Sequence, residues 1–516
     1  MTLKLDTLES WLWESANILR GSIDSSDFKN YIFGLLFLKR TNDTFEEEVE
    51  NLMAEDGMSR EDAEEDAYFN FPQEARWDNL KKKTENIGVA LDKAFAAIER
   101  DNTSLEGVLT TTKFGDKEKL SDDVLQRLLR HFNTHSLRNQ DLESPHILGD
   151  AYEYLIKQFA DDAGKKGGEF YTPRGVVQLI VQLIKPQPRQ KVYDPTMGSG
   201  GMLIEAANYV AEQPDGKVGK NVNVSLYGQE KNLGTWAIGK LNMLLHNFVD
   251  ADLRKGDTLV NPRHTEDNQL MLFDRVVANP PFSLGEWWTP AEVAQETKLD
   301  KNGKEKKVTP DYKTKVTDRY GRFQYGIPPR GYADFAFLQH MVAVLKQDGK
   351  AGVVLPHGTL FRGSSEGKIR KALIKADIIE GIIGLPAKLF YNTGIPAAIW
   401  IINKNKPADR KGKMAIIDAS NGFKEGKNQN ELLETNVAKI VEAYYAYTDV
   451  KKFMRVVPIE DIKENDYNLN ISRYIDTTEP EVEVDLKQVK VKLQELEERE
   501  KEIDSRLKSY LQELGI

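Results

Sequence analysis

The chain is predicted to fold as an α/β protein with a doubly wound sheet, preceded by an all-helical domain and followed by a heptad helix. Three observations carry this. From residue 189, short apolar runs alternate with helical patterns, as in parallel sheets covered by helices on both faces. Before residue 160, apolar residues recur at helical spacing with few strand signals. From Leu486, the apolar spacing changes to alternating threes and fours. The implied domains are 1–160 (helical), 161–475 (sheet, with a basic insertion loop at 285–330) and 476–516 (helical tail).

The N-terminal reading rests on Leu8, Leu12 and Leu19, then on Ile32, Leu35, Leu36 and Leu38. Ser25-Ser26-Asp27 is expected to cap the second helix. Helical patterns recur at 86–100, 121–132 and 145–160. His131 and His135 stand at i, i+4, but no further ligands of suitable spacing accompany them, so they read as helix-end residues and no metal site is expected. Asp161 to Gly168 is a flexible hinge. It leads into Glu169-Phe170-Tyr171-Thr172-Pro173-Arg174 and an apolar helix from Val176 to Ile184, with Thr172 expected as its cap and Pro173 at its first position.

The sheet is built from Lys191–Tyr193, Val222–Glu230, Asp274–Ala278, Gly352–Leu355, Ile378–Gly384 and Ala397–Ile402. Helices are expected at 202–210, at about 234–246, and from Asp334 to about Lys346. In the tail, Leu486, Val489, Leu493, Leu496, Glu500, Ile503, Leu507, Tyr510 and Leu514 form an a/d seam in which eight of nine positions are apolar. Such a seam needs a partner helix, and another chain is the favoured source.

Composition narrows the chemistry. At 516 residues the chain exceeds the ~250–300 residues at which single cores stop growing. It has no cysteine, which excludes disulfides, thiolate metal sites and a Cys nucleophile. There is no run of about 18 apolar residues and no signal-peptide pattern, so a cytoplasmic location without membrane contact is expected. The net charge is −10, yet residues 298–330 hold ten bases against four acids. That loop suits a polyanion, or is simply solvated.

Two kinds of strand end carry the chemistry. The first strand runs into Asp194-Pro-Thr-Met-Gly198-Ser199-Gly200-Gly201 and then a helix. Glycines admit a ligand close to the backbone, and the helix start offers free N–H groups. The pattern is neither a dinucleotide fingerprint nor a P-loop. At three successive strand ends, Asp194 suits an ammonium group, Glu230 suits ribose hydroxyls, and Asp257 suits an adenine amino group. In that order the three fit S-adenosylmethionine. The second end is Asn279-Pro280-Pro281-Phe282. Two prolines stop the strand and leave an amide, a main-chain carbonyl and a ring on a stiff turn. Taken alone, these four residues also fit an edge-strand stop.

Together, Glu169–Arg174, Asp194–Gly201, Glu230, Asp257 and Asn279–Phe282 resemble the amino-group DNA methyltransferases that make N6-methyladenine. More closely, they resemble the modification subunit of type I restriction–modification systems, with the cofactor loop before the catalytic loop (the γ order). The resemblance covers most of the chain and implies the S-adenosylmethionine-dependent methyltransferase fold, with seven strands and a reversed last hairpin. It implies that Glu169 to Arg174 close over the methionine part of the cofactor. Asp194 and Gly198 to Gly201 would hold its amino-acid end, Glu230 its ribose, and Asp334 would line the same pocket. Asn279 and Pro280 would accept the amino hydrogens of an adenine flipped from DNA, with Pro281 stiffening the turn and Phe282 stacking on the ring. The type I likeness further implies a separate specificity subunit that reads the DNA, two modification subunits per specificity subunit, and a restriction subunit in the full complex. The alternatives at this point are a self-sufficient N6-adenine methyltransferase, an N4-cytosine methyltransferase, a protein-glutamine methyltransferase and a non-catalytic cofactor-binding scaffold.

Overall fold

The computed structural model describes residues 2–24, 27–144, 147–162, 171–219, 221–288, 296–299, 305–308, 316, 318–390, 394–427, 429–477 and 486–516. Two compact units are present, 1–475 and 476–516.

The first unit is organised around a nine-stranded sheet. Its strands are β1 (Lys191–Asp194), β2 (Ser225–Glu230), β3 (Asp252–Lys255), β4 (Phe273–Ala278), β5 (Leu345–Pro356), β6 (Ile379–Gly384), β7 (Ala397–Asn403), β8 (Lys413–Asp418) and β9 (Met454–Pro458). In space they lie in the order β9-β8-β6-β7-β5-β4-β1-β2-β3. Strands β1 to β5 are mutually parallel, and β7 runs antiparallel to both of its neighbours. The reversed hairpin is therefore β6–β7. Beyond it, β8 and β9 extend the expected seven strands to nine. The order reverses between β1 and β4, the place where open α/β sheets form a crevice beyond their strand ends.

The strands are buried on both faces, so they read as continuous apolar runs rather than alternating ones. Val277, Val354, Ile399 and Ile401 face one apolar cluster, shared with helices α6 (Arg174–Ile184), α7 (Gly201–Ala211) and α8 (Leu233–Leu245). Val276, Val353, Trp400 and Ile402 face the other, with Phe335 and Met341 of α9 (Asp334–Ala343) and Ile369 of α10 (Ser364–Lys375).

The N-terminal helices α1 (Leu5–Leu19), α2 (Phe28–Glu55), α3 (Ile87–Asp101), α4 (Asp122–Phe132) and α5 (Ile147–Asp162) bury their apolar faces in the same cluster as α6 to α8. Tyr152 joins the two parts: its ring lies 4.0 Å from that of Phe33, and its hydroxyl donates to the Ile238 carbonyl at 3.1 Å. His131 packs against Trp11, with ring centres 5.4 Å apart and Nε2 2.8 Å from the Trp11 carbonyl oxygen.

Three local expectations are corrected. Ser25 and Ser26 lie outside the described residues, and Asp27 takes helical angles (φ −94°, ψ −16°) with no side-chain cap bond, so it does not cap α2. Thr172 does not cap α6, because Pro173 occupies the capping position and the hydroxyl one residue earlier turns elsewhere. Helix α9 stops at Ala343 rather than near Lys346. There Val344 accepts from the Phe273 amide at 2.8 Å and Lys346 pairs with Asp274 at 2.8 Å, which draws the chain into β5.

Within the insertion, Glu296–Leu299 pairs antiparallel with Glu305–Val308. The second unit contains α12 (Leu486–Glu513), with α11 (Glu434–Ala446) the preceding long helix of the first. Seven seam residues of α12 and its end are exposed: Val489, Leu493, Leu496, Ile503, Leu507, Tyr510 and Leu514.

Candidate active site

Beyond the C-terminal ends of β1, β2 and β4, three backbone turns converge. The turn after β1 needs glycine at two points. Gly198 and Gly200 both have positive φ (54° and 83°), where a side chain would be strained. Gly200 caps α7, and Gly201, the first residue of that helix, lines one cleft with Asp194. A Cβ on Gly239 would lie 2.7 Å from the Gly198 carbonyl oxygen, so α8 can approach this turn only without a side chain there.

Asp194 is almost wholly buried. Burial is the main cause that pushes its carboxyl up to about 8, against hydrogen bonds from the Thr196 amide (2.9 Å) and hydroxyl. At the end of β2, Glu230 accepts from the Gly198 amide at 3.2 Å and from the Asn232 amide at 2.7 Å. After β3, Asp257 accepts from the amides of Leu259 (2.9 Å) and Val260 (3.1 Å) and pairs with Lys231 at 2.8 Å.

The turn after β4 meets the segment before α6. Asn279 Nδ2 donates to Thr172 Oγ1 at 3.0 Å. Asn279 Oδ1 is buried and has no hydrogen-bond partner among the described residues. A buried acceptor left unpaired is costly, so its persistence points to a donor that arrives from outside the chain. Phe282 is half-buried and meets Phe390 edge-on at 5.4 Å. The next residue, Ser283, has φ 54° and donates its amide to Asp334 Oδ1 at 2.8 Å. Asp334 Oδ2 pairs with Arg362 at 3.1 Å.

One cleft collects Tyr171, Thr172, Arg174, Asp194, Gly198, Ser199, Gly201 and Asn279 in its walls. Residues 169 and 170 lie outside the described residues. Glu230 reaches the cleft through its bond to Gly198 and helps to raise the Asp194 carboxyl, while Asp257 accepts within its own turn and pairs with Lys231. Asp334 braces the turn after Phe282 instead of joining the cleft wall.

The structure adds residues that sequence reasoning missed. Glu153, Glu205 and His246 line the same cleft. Burial, then the nearby Asp150, pushes Glu153 up to about 7. The spacing of Asp150 and Glu153 on one helix face, just before the glycine hinge, was the available signal. Arg322 was counted only as part of the basic loop. It is buried, its Nη1 donates to the Thr258 carbonyl (3.0 Å), its Nη2 to the Leu259 carbonyl (2.5 Å), and it pairs with Asp318 (3.0 Å).

Known proteins share this frame. Residues 143–483 match the N-6 DNA methylase family, and residues 8–132 match the HsdM N-terminal domain. The chain belongs to the methylase subunits of type I restriction enzymes. It is 35% identical over 99% of its length to such a subunit from Methanocaldococcus jannaschii, spanning 85% of that protein. It is 34% identical over 80% of its length to one from Haemophilus influenzae, spanning 90% of that protein. The crystal structure of the type I restriction–modification methyltransferase subunit from Streptococcus thermophilus superposes with a TM-score of 0.76 at 32% identity, over 92% of this chain and all of that one. The methylase subunit is thus an adenine-specific DNA methyltransferase, and the protein-glutamine and scaffold alternatives fall away. Among the described residues, no helix of this methylase subunit is long and apolar enough to cross a membrane.

Proposed function

We propose that this methylase subunit binds S-adenosylmethionine in the cleft between Thr172, Asp194 and Asn279 and methylates N6 of an adenine flipped from DNA. The observation that carries the reading is the buried, unpaired Asn279 Oδ1 in the wall of a cleft whose carboxyl groups Asp194 and Glu153 are raised by burial. Such a site fits a ligand that brings N–H donors and positive charge. Asp194 and the amides of Gly198 to Gly201 would hold the amino-acid end, with Tyr171 to Arg174 closing over it. Glu169 and Phe170 are assigned to the same closure, Glu230 to the ribose and Asp257 to the adenine ring, while Asp334 holds the turn after Phe282 through the Ser283 amide. When bound, the cofactor supplies a sulfonium methyl group open to nucleophilic displacement.

The residues of the chain do the rest. An exocyclic amine is a poor nucleophile because its lone pair is delocalised into the ring. Asn279 Oδ1 and the Pro280 carbonyl accept its two hydrogens and localise the lone pair. Pro281 keeps the turn stiff and Phe282 stacks on the ring, which offsets part of the unstacking cost (~1–3 kcal/mol per base). Positioning and electrostatics carry the rate, and no side-chain nucleophile is involved.

A specificity subunit, with two methylase subunits for each, would choose the site, and a restriction subunit would complete the complex. The family supports this because its members are named as subunits of type I restriction enzymes. The exposed seam of α12 is the assigned dock for the specificity subunit. We place the complex in the cytoplasm.

The test is transfer of a labelled methyl group from S-adenosylmethionine to duplex DNA, with and without the specificity subunit, and digestion to nucleosides. Label in N6-methyladenine only when both subunits are present is expected. Label in N4-methylcytosine, or site-specific transfer by the methylase alone, would overturn the reading.

A further inference from the structure

A base that swings out of a duplex leaves a gap in the stack, and proteins commonly prop such gaps with an inserted side chain. Among the described residues up to Ile475, four aromatic side chains are strongly exposed: Tyr68, Tyr332, Phe361 and Phe423. Single exposed rings are ordinary. Two of these four, however, adjoin Arg362, Tyr332 through its ring and Phe361 as its neighbour in the chain, and Arg362 is tied to the turn that follows Phe282.

The ties are specific. The Arg362 guanidinium lies 4.4 Å from the centre of the Tyr332 ring. Its Nη1 donates to Asp334 Oδ2 at 3.1 Å, and Asp334 Oδ1 accepts from the Ser283 amide at 2.8 Å. A second link runs along the backbone, where the Ala333 amide donates to the Leu284 carbonyl at 3.0 Å. Tyr332 is therefore 42% exposed yet braced to the catalytic turn from two sides. A ring held rigid before contact loses little freedom on stacking, which suits it to base contact. Leu284 (36% exposed) and Phe361 (48% exposed) extend the apolar rim beside it.

We propose that Tyr332 is the side chain that enters the base stack of the DNA duplex beside the flipped adenine, with Arg362 holding its ring. This rests on the reading of Asn279 to Phe282 as the grip on that adenine. The occupant of the rim is duplex DNA, because the rim is continuous with the turn that receives the base.

The test compares two substrates in the assembled complex with its specificity subunit. One carries the target adenine in a normal pair, the other carries it opposite an abasic site, where the base has no pairing partner to lose on flipping. Tyr332→Ala should raise the preference for the abasic substrate by ~5- to 150-fold, the loss of ~1–3 kcal/mol of stacking. Tyr332→Phe, which keeps the ring, should return the preference to that of the wild type. An equal loss on both substrates, no loss on either, or weakened assembly with the specificity subunit would overturn the proposal. Asn279→Ala separates the two readings. If it is slow on both substrates, the grip stands and the Tyr332 result is judged alone; if it is fast on both, the grip itself is wrong and the proposal falls with it.

Discussion

Thr172→Val removes one oxygen and nearly nothing else. In the structure that oxygen accepts from Asn279 Nδ2 at 3.0 Å, which turns Oδ1 of the same amide into the cleft. Without the acceptor, the amide loses its reason to prefer one orientation over its flip, and the flipped amide presents hydrogens to a group that needs an acceptor. A neutral hydrogen bond of this kind is worth ~0.5–1.5 kcal/mol net. At about 1.36 kcal/mol per tenfold in rate, the variant should be ~2- to 13-fold slower in the chemical step. Thr172→Ser keeps the hydroxyl and should stay close to wild type. The assay is single-turnover methyl transfer to a saturating duplex target, which isolates chemistry from DNA affinity. A Val variant as fast as wild type, or a Ser variant as slow as the Val variant, would refute the idea that Thr172 orients Asn279.

Three further outcomes follow from the same geometry. Asp194 holds its proton up to about 8 when folded and releases it near the ordinary 3.8 when unfolded, so the ligand-free protein should lose thermal stability as pH rises from about 4 to about 8. Asp194→Asn should flatten part of that fall, and an identical fall in both proteins would contradict the assignment. Arg322→Met should cost ~3–5 kcal/mol, because it takes the cationic partner from the buried Asp318 side chain and the donors from two carbonyls. For a unit of this size that is a drop of roughly 3–5 °C in melting temperature. Deleting residues 480–516 should abolish assembly with the specificity subunit while leaving cofactor affinity unchanged, as read by size-exclusion chromatography and calorimetry; an intact complex would sink the docking role of α12.

Much of this architecture was legible from spacing alone. The strands that matter most, β1, β2 and β4, run into Asp194, Glu230 and, one residue past its end, Asn279, and each end was visible because an apolar run stops at a polar residue or at proline. Strands β8 and β9 escaped notice, and β3 showed only through the acid just after its end, Asp257. Three of the four residues of β3 are charged, as suits an edge, and β8 and β9 lie outside the seven-strand pattern. The boundary at Ala343 was hidden because Leu345 fits a helical pattern as well as a strand, and only pairing with Phe273 decides it. Within the site, residue types were readable but partnerships were not. Thr172 looked like a cap because Thr before Pro usually is one; its true partner lies 107 positions away. Glu153 and Arg362 reach the site from elements that carry no motif, so only the fold could bring them there.

The central claim is that Asn279 grips the base rather than the cofactor. Asn279→Ala in the assembled complex tests it when cofactor affinity and methyl transfer are measured on the same preparation. The account predicts a cofactor dissociation constant near that of the wild type and transfer slowed ~10²- to 10³-fold, the usual cost of one preorganised hydrogen-bonding group. Near-normal transfer, or a loss explained entirely by weaker cofactor binding, would contradict it.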